Sequence, residues 1–140
     1  MIISKYLSGS DIGSTNTHQS GIYIPKNVLD FFPKLNKNSK NPRKAISFRD
    51  VYGEKWNFNY IYYNNKLFGG TRNEYRLTGI HRFIVSRNLK EQDLIKLVNE
   101  NGHYFIHYKK TKLKMNIYTG LYDWKVYNKF NDDINHDDIR

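Results

Sequence analysis

Short stretches in which side chains alternate with a period of two constrain this chain more than any other feature. In Gly102–Lys109, Tyr104, Ile106 and Tyr108 fall on one face, and His103, Phe105 and His107 fall on the other. That is the pattern of a pleated strand, whose successive side chains point to opposite sides. Strand-like pieces also occur at Ser20–Ile24, Ala45–Phe48, Trp56–Tyr63, His81–Ser86, Lys114–Tyr118 and Tyr122–Tyr127. Two segments read as helices instead. Pro25 is tolerated in a first helical turn, and Val28, Leu29, Phe31 and Phe32 follow it at helical spacing until Pro33 stops the run. Lys90–Asn99 carries an apolar stripe of Leu94, Leu97 and Val98, with Gly102 just past its end. Many short strands with two short helices predict a mainly β, barrel-like domain. Aromatic residues make up 16% of the chain, enough to fill such a barrel, and most of the 12 tyrosines are expected inside it.

A chain of 140 residues supports one core without disulfides or metal. It has no cysteine, which excludes a disulfide framework and a thiolate metal site. No apolar run approaches the roughly 20 residues of a spanning helix, and the N-terminus lacks the apolar core of a secretory signal. The expectation is a cytoplasmic domain over residues 1–130, with an acidic tail or linker at 131–140. Charge is unevenly placed. Of 23 bases and 13 acids, all but Arg140 and all but Asp132, Asp133, Asp137 and Asp138 precede residue 132, leaving a net +13 there. A basic body suits a polyanion, because each phosphate contact releases counterions. Lys and Asn are also plentiful throughout, as an AT-rich genome alone would produce, so charge by itself does not decide the partner.

Packing does not explain two segments. Ser8–Ser20 is almost purely small and hydrogen-bonding and holds Ser10, Asp11, Thr15, Asn16, His18 and Gln19. Asn64–Gly79 mixes glycines with Lys66, Thr71, Arg72, Asn73, Glu74 and Arg76. For an arbitrary protein both would be solvated loops, the second with an internal ion pair.

The same segments carry a resemblance. Asp11-x-Gly13-x-Thr15, His18-Gln19-x-Gly21-Ile22-Tyr23-Ile24-Pro25, Phe32-Pro33, and Ile61-Tyr62-Tyr63-Asn64 followed by Phe68-Gly69-x-Thr71-Arg72-Asn73-Glu74-x-Arg76-x-Thr78 appear in this order. They are similar to the N-terminal effector-binding domain of EcoRII-type restriction endonucleases, a bacterial member of the B3-like DNA-binding pseudobarrel superfamily. The match covers roughly residues 7–78; beyond Gly79 only the alternation of strands and a helix corresponds. The resemblance implies a B3-like pseudobarrel that extends two arms into the major groove of duplex DNA. Ser8–Ser20 would be the N-terminal arm and Asn64–Gly79 the C-terminal arm. It further implies a CC(A/T)GG-like target and a separate nuclease domain, in cis or in trans. Gly70 and Tyr75 stand where the family pattern has lysines, and Ile12 replaces a polar residue.

The chemistry of the arms points the same way. Guanine shows N7 and O6 acceptors in the major groove, and cytosine an N4 donor. Arg72 and Arg76 can donate to the first, while Asp11 and Glu74 can accept from the second. Asn16, His18, Gln19, Asn64 and Asn73 add groups able to read either edge, and Ser10 and Thr15 add hydroxyls. Lys66, the Lys34–Lys44 loop and the Lys109–Lys114 run are expected to neutralise the DNA backbone, which positions without specifying.

Enzyme readings fare worse. Gly21-Ile22-Tyr23 and Tyr60-Ile61 imitate the GIY-YIG nucleases, but the halves lie 37 residues apart and Tyr62 stands where glycine is required. Asp123-Trp124-Lys125 has the form of a restriction-type metal site, yet its nearest acidic partner, Asp93, falls in the expected second helix as ordinary surface charge. His103 and His107 are too far apart along a strand to chelate one ion. Neither cofactor nor metal is expected. A nuclease and a single-stranded nucleic-acid binder of the OB-fold kind remain the alternatives, and the latter leaves Arg72-Asn73-Glu74-x-Arg76 without a purpose.

Overall fold

The computed structural model describes residues 1–13, 21–111 and 120–127. Strand β1 (Ile2–Tyr6) leads into a single helical turn, α1 (Gly9–Ile12), and β2 (Ile22–Ile24) is followed by a 3₁₀ helix at Lys26–Phe31. Next come β3 (Arg43–Arg49), β4 (Lys55–Tyr63), a second 3₁₀ turn (Asn65–Phe68) and β5 (Glu74–Thr78). Helix α2 (His81–Ser86) and strands β6 (Leu94–Glu100), β7 (His103–Lys109) and β8 (Lys125–Tyr127) complete the described chain.

All eight strands form one sheet in the order β2-β5-β4-β3-β7-β6-β1-β8. Neighbours are antiparallel except β3 and β7, which run parallel and pair only through Phe48↔Tyr104 and Arg49↔Phe105. The two ends of the sheet meet. Trp124, just before β8, donates its indole Nε1–H to the carbonyl of Tyr23 on β2 at 3.2 Å. That bond ties the turn before the last strand to the first strand of the order, across a sheet curled into a pseudobarrel with Phe31, Phe48, Phe58 and Phe83 fully buried inside. The mainly β expectation holds.

Several elements differ from expectation. The first helix forms, but as a 3₁₀ helix whose Val28 and Phe31, three residues apart, point together into the core. His81–Ser86 is helical, not extended. Ile80, Phe83 and Ile84 sit at i, i+3, i+4 and are buried, while His81, Arg82, Val85 and Ser86 face solvent. Lys90–Asn99 is not a helix: most of it is β6, between β1 and β7. Both its faces are covered. Ile95 and Leu97 join the main core, and Val98 packs with Ile2, Phe105 and Tyr127 on the other side. A strand buried on both faces reads as a near-continuous apolar run, and Leu94, Leu97 and Val98 mimicked helical spacing by chance. Asp93 accordingly lies before a strand. It is buried and accepts from the Lys90 and Thr111 amides, so it is no loose surface charge. Residues 2–6 and 74–78, unassigned as strands from the sequence, are β1 and β5. The expected strand Lys114–Tyr118 and the tail 131–140 lie outside the described residues.

Candidate nucleic-acid interface

The connection between β4 and β5 is built as a rigid projection. Asn65 holds its base: its side-chain oxygen accepts from the Arg72 amide at 2.6 Å and its carbonyl from the Gly70 amide at 2.7 Å. The Lys66 amide donates to the Arg72 carbonyl at 2.9 Å, closing the loop. The 3₁₀ turn between these ties presents Lys66, Leu67 and Phe68 to solvent.

Below the loop runs a column of aromatic rings. Phe32 stacks on Tyr60 at 4.4 Å between centroids, Tyr60 on Tyr75 at 5.7 Å, and Tyr75 on Tyr62 at 4.2 Å. Tyr62 and Tyr75 are cross-strand partners in β4 and β5, so the pairing register itself sets this stack. The Tyr62 hydroxyl then donates to the Asn73 side-chain oxygen at 2.6 Å. Core packing is thus transmitted to the loop through parallel rings.

On this base sits a ladder of charge. The Arg72 guanidinium lies 3.6 Å over the Tyr63 ring. Its Nε and Nη2 donate to Glu74 Oε1 at 3.0 and 2.8 Å, while Arg76 Nε donates to Glu74 Oε2 at 3.3 Å. Burial pushes the Glu74 carboxyl up, but the two arginines outweigh it and hold the group below the usual carboxylate range. The three charges differ in access. The Arg72 side chain is 39% exposed, that of Glu74 26% and that of Arg76 only 9%. Arg76 also donates to the Gly21 carbonyl at 3.3 Å, binding β5 to the head of β2.

The candidate residues therefore divide. Lys66, Thr71 and Asn73 are exposed, Arg72 partly so, and Ser10 is exposed on α1. Asn64 is fully buried. Its side chain donates to the Lys37 and Ser39 carbonyls at 3.2 and 2.8 Å and accepts from the Asn41 amide at 2.7 Å. Asn64 thereby fastens the basic Lys34–Lys44 loop to the foot of the projection, where Lys37, Lys40, Arg43 and Lys44 stay exposed. Asp11 forms a capping box with Ser8 and accepts from Lys5 Nζ at 2.5 Å. Lys110 pairs with Asp93 at 2.8 Å. Thr15, Asn16, His18 and Gln19 lie outside the described residues.

Sequence reasoning missed Asn65, Tyr62 and Tyr63 as the supports of this loop. Tyr62 and Tyr63 directly precede it in the sequence, and that adjacency was the available signal. Asp123 is exposed in the turn before β8, and among the described residues no three His, Asp or Glu side chains come together as a metal site. Among the described residues no helix is long and apolar enough to cross a membrane.

Comparison with known proteins gives a consistent picture. Residues 1–93 match the family model "Restriction endonuclease EcoRII, N-terminal". Over 80 residues, 53% of the chain, the sequence is 39% identical to the Escherichia coli type II restriction enzyme EcoRII. It is 29% identical to Arabidopsis thaliana auxin response factor 16 over 111 residues, 78% of the chain. The aligned regions span only 19% and 15% of those two proteins. The fold is similar to that of the Arabidopsis FUS3–DNA complex, with a TM-score of 0.59 at 23% identity, covering 76% of this chain and 94% of that one. A hypothetical Arabidopsis thaliana protein matches with a TM-score of 0.53 at 11% identity, covering 81% and 93%. The architecture is B3-like.

Proposed function

Because the chain belongs to the family of EcoRII restriction endonuclease N-terminal domains, we propose that it binds duplex DNA sequence-specifically and is not itself the catalyst. The matched FUS3 structure is a DNA complex, which supports the partner class. The observation that carries the reading is Arg72, half-exposed on a braced loop, with its guanidinium plane fixed by Tyr63 beneath and Glu74 beside it. A pinned guanidinium loses little freedom on meeting a guanine edge, so its bidentate geometry is prepared in advance.

In this reading Ser8–Ser20 and Asn64–Gly79 act as two major-groove arms. Ser10, Asp11, Thr15, Asn16, His18 and Gln19 belong to the first; Asn64, Lys66, Thr71, Arg72, Asn73, Glu74 and Arg76 belong to the second. Within the second arm, Arg72 donates to guanine and Glu74 both orients Arg72 and accepts from cytosine N4. Asn64 and Arg76 position the arm from beneath. The target is a CC(A/T)GG-like palindrome, and the biological role is the targeting or effector module of a restriction system, with cleavage supplied by a nuclease domain in cis or in trans.

Selection of bound sequences from a random duplex pool tests this directly. Enrichment of a short C·G-rich palindrome is expected, with single-stranded DNA a poor competitor. Equal retention of all sequences, or preference for single strands, overturns the proposal. Plasmid cleavage by the purified chain with Mg²⁺, abolished by Asp123→Ala, would return the nuclease reading.

A further inference from the structure

Midway across the sheet, β3 and β7 pair through two residues each and then part. An open groove of about 580 Å³ lies at this junction, lined in part by Lys44, Arg49, Lys55, His103, Phe105 and Pro33. Among the described residues, none that lines it is acidic. Arg49 is braced, its Nη1 donating to the Gly53 carbonyl at 2.8 Å.

The backbone along this groove is half-used. The Pro42 carbonyl accepts from the Tyr62 amide at 3.0 Å, which makes Pro42/Tyr62 a hydrogen-bonded pair of the β3–β4 ladder. Such pairs alternate along antiparallel strands, so the register makes Lys44/Tyr60, Ile46/Phe58 and Phe48/Trp56 the next ones. Arg43, Ala45 and Ser47 therefore turn their N–H and C=O groups away from β4, toward the β7 side. Among the described residues no strand pairs with Arg43–Ser47 on that side.

We propose that this groove receives an extended acidic peptide segment of a partner protein, which adds as a strand to the free edge of β3 and sets its carboxylates against Lys44, Arg49, Lys55 and His103. An unpaired edge is a template for strand addition, with main-chain bonds supplying affinity and alternate side chains supplying selectivity. The backbone decides between a peptide and a nucleic-acid backbone. Phosphates offer acceptors only and would confront the outward carbonyls of Arg43 and Ala45, whereas a peptide presents donors and acceptors alternately. The groove shares Lys44 with the basic segment at the foot of the β4–β5 projection but none of the projection's own residues, and it does not depend on the DNA-binding proposal.

A blocked heptapeptide of alternating threonine and glutamate, titrated into the ¹⁵N-labelled chain at fixed salt, tests the proposal. The Ala45 and Ser47 amides should shift and exchange more slowly with solvent, and the double charge reversal Arg49→Glu with Lys55→Glu should weaken binding at least tenfold. The same peptide N-methylated at alternate residues leaves the protein untouched and keeps every charge, yet loses its edge donors; it too should bind at least tenfold more weakly. Equal binding of the N-methylated peptide would reduce the site to a charge patch and overturn strand addition. Absence of any shift at millimolar peptide would overturn the proposal, as would displacement of the peptide by duplex DNA that persists with Arg72→Ala.

Discussion

At Asp50, in the turn between β3 and β4, one carboxylate gathers four donors. Oδ1 accepts from the Tyr52 and Glu54 amides, both at 2.9 Å, and Oδ2 from Trp56 Nε1 at 2.9 Å and from Arg87. Burial pushes the Asp50 carboxyl up, but the bonds from Trp56, Arg87 and the two amides outweigh it and hold the group below the usual range. Breaking a buried pair strands the remaining charge, at a cost of about 3–5 kcal/mol. Arg87 keeps Glu54 as a second partner at 3.0 Å, so Asp50→Asn should cost about 3 kcal/mol in urea unfolding. Because the folded pKa is depressed, this stabilisation is complete above the unfolded value of about 3.9 and is lost as pH falls through the folded one. An acid titration of stability should show a smaller loss in Asp50→Asn than in the natural chain, the remainder coming from carboxylates such as Glu74. Glu74 shares the same chemistry at a surface with a different purpose. Glu74→Gln keeps the shape but weakens the hold on Arg72 and, in the proposed reading, would turn a donor toward cytosine N4. It should cost about 1–3 kcal/mol on a cognate duplex and much less on random DNA. An unchanged preference among base-pair variants, measured at one salt concentration, would leave Glu74 as scaffolding alone.

Elements show where local sequence is sufficient and where it is not. Gly102–Lys109 and Trp56–Tyr63 are strands as their alternation says, because each stands with one face against the core. For β6 the alternation vanishes under burial on both faces, and the decisive signal was elsewhere. Asn101-Gly102, both at positive φ, forms the two-residue turn joining Glu100 to His103. Asn-Gly is a strong hairpin signal, and Gly102 was misread as a helix end. Of the proposed site, the ion pair between Arg72 and Glu74 was legible from residue type. The burial of Asn64 and Arg76 was not, because polar residues that brace a loop look in one dimension like those that read a ligand. Gly21 belongs with the legible motifs, yet its reason is steric. At φ +73, a Cβ there would stand 2.0 Å from the Leu77 carbonyl oxygen, on the strand that pairs with β2. Gly21→Ala should cost roughly 1–2 kcal/mol from the left-handed backbone alone, with displacement of β2 from β5 added. Amide exchange should accelerate in Ile22–Ile24 and Glu74–Thr78 well before it does in β6; uniform loss across the sheet would instead mean that these strands open only with the whole domain.

Across the whole molecule, the curled sheet and the basic charge draw on different sets of lysines. Asn64 clamps the Lys34–Lys44 loop to the foot of the β4–β5 projection, so Lys37 and Lys40 stand beside the proposed reading arm with their charges exposed. Lys110 belongs to the structure instead. It pairs with Asp93, which itself caps residues 90–93 and holds Thr111, and it bonds the Asn88 carbonyl. Two residues of identical type are thus placed differently, one exposed beside the proposed arm and one paired within the fold, and salt separates the roles this placement predicts. Each phosphate neutralised contributes about −0.9 to the slope of log affinity against log salt on duplex DNA. Lys40→Ala should weaken cognate and random duplexes about equally, since phosphates carry no base identity, and should flatten the slope by about 0.9. Lys110→Ala should leave the slope unchanged. Its effect should appear in the melting temperature, and only as a small loss, because the Lys110 side chain is 47% exposed and solvent screens its pairing. Affinities of the three proteins measured from low to moderate salt on one cognate and one random duplex decide the matter. If Lys110→Ala flattens the slope and Lys40→Ala does not, the DNA path runs past the β7 end of the sheet, and the β4–β5 projection is not its centre.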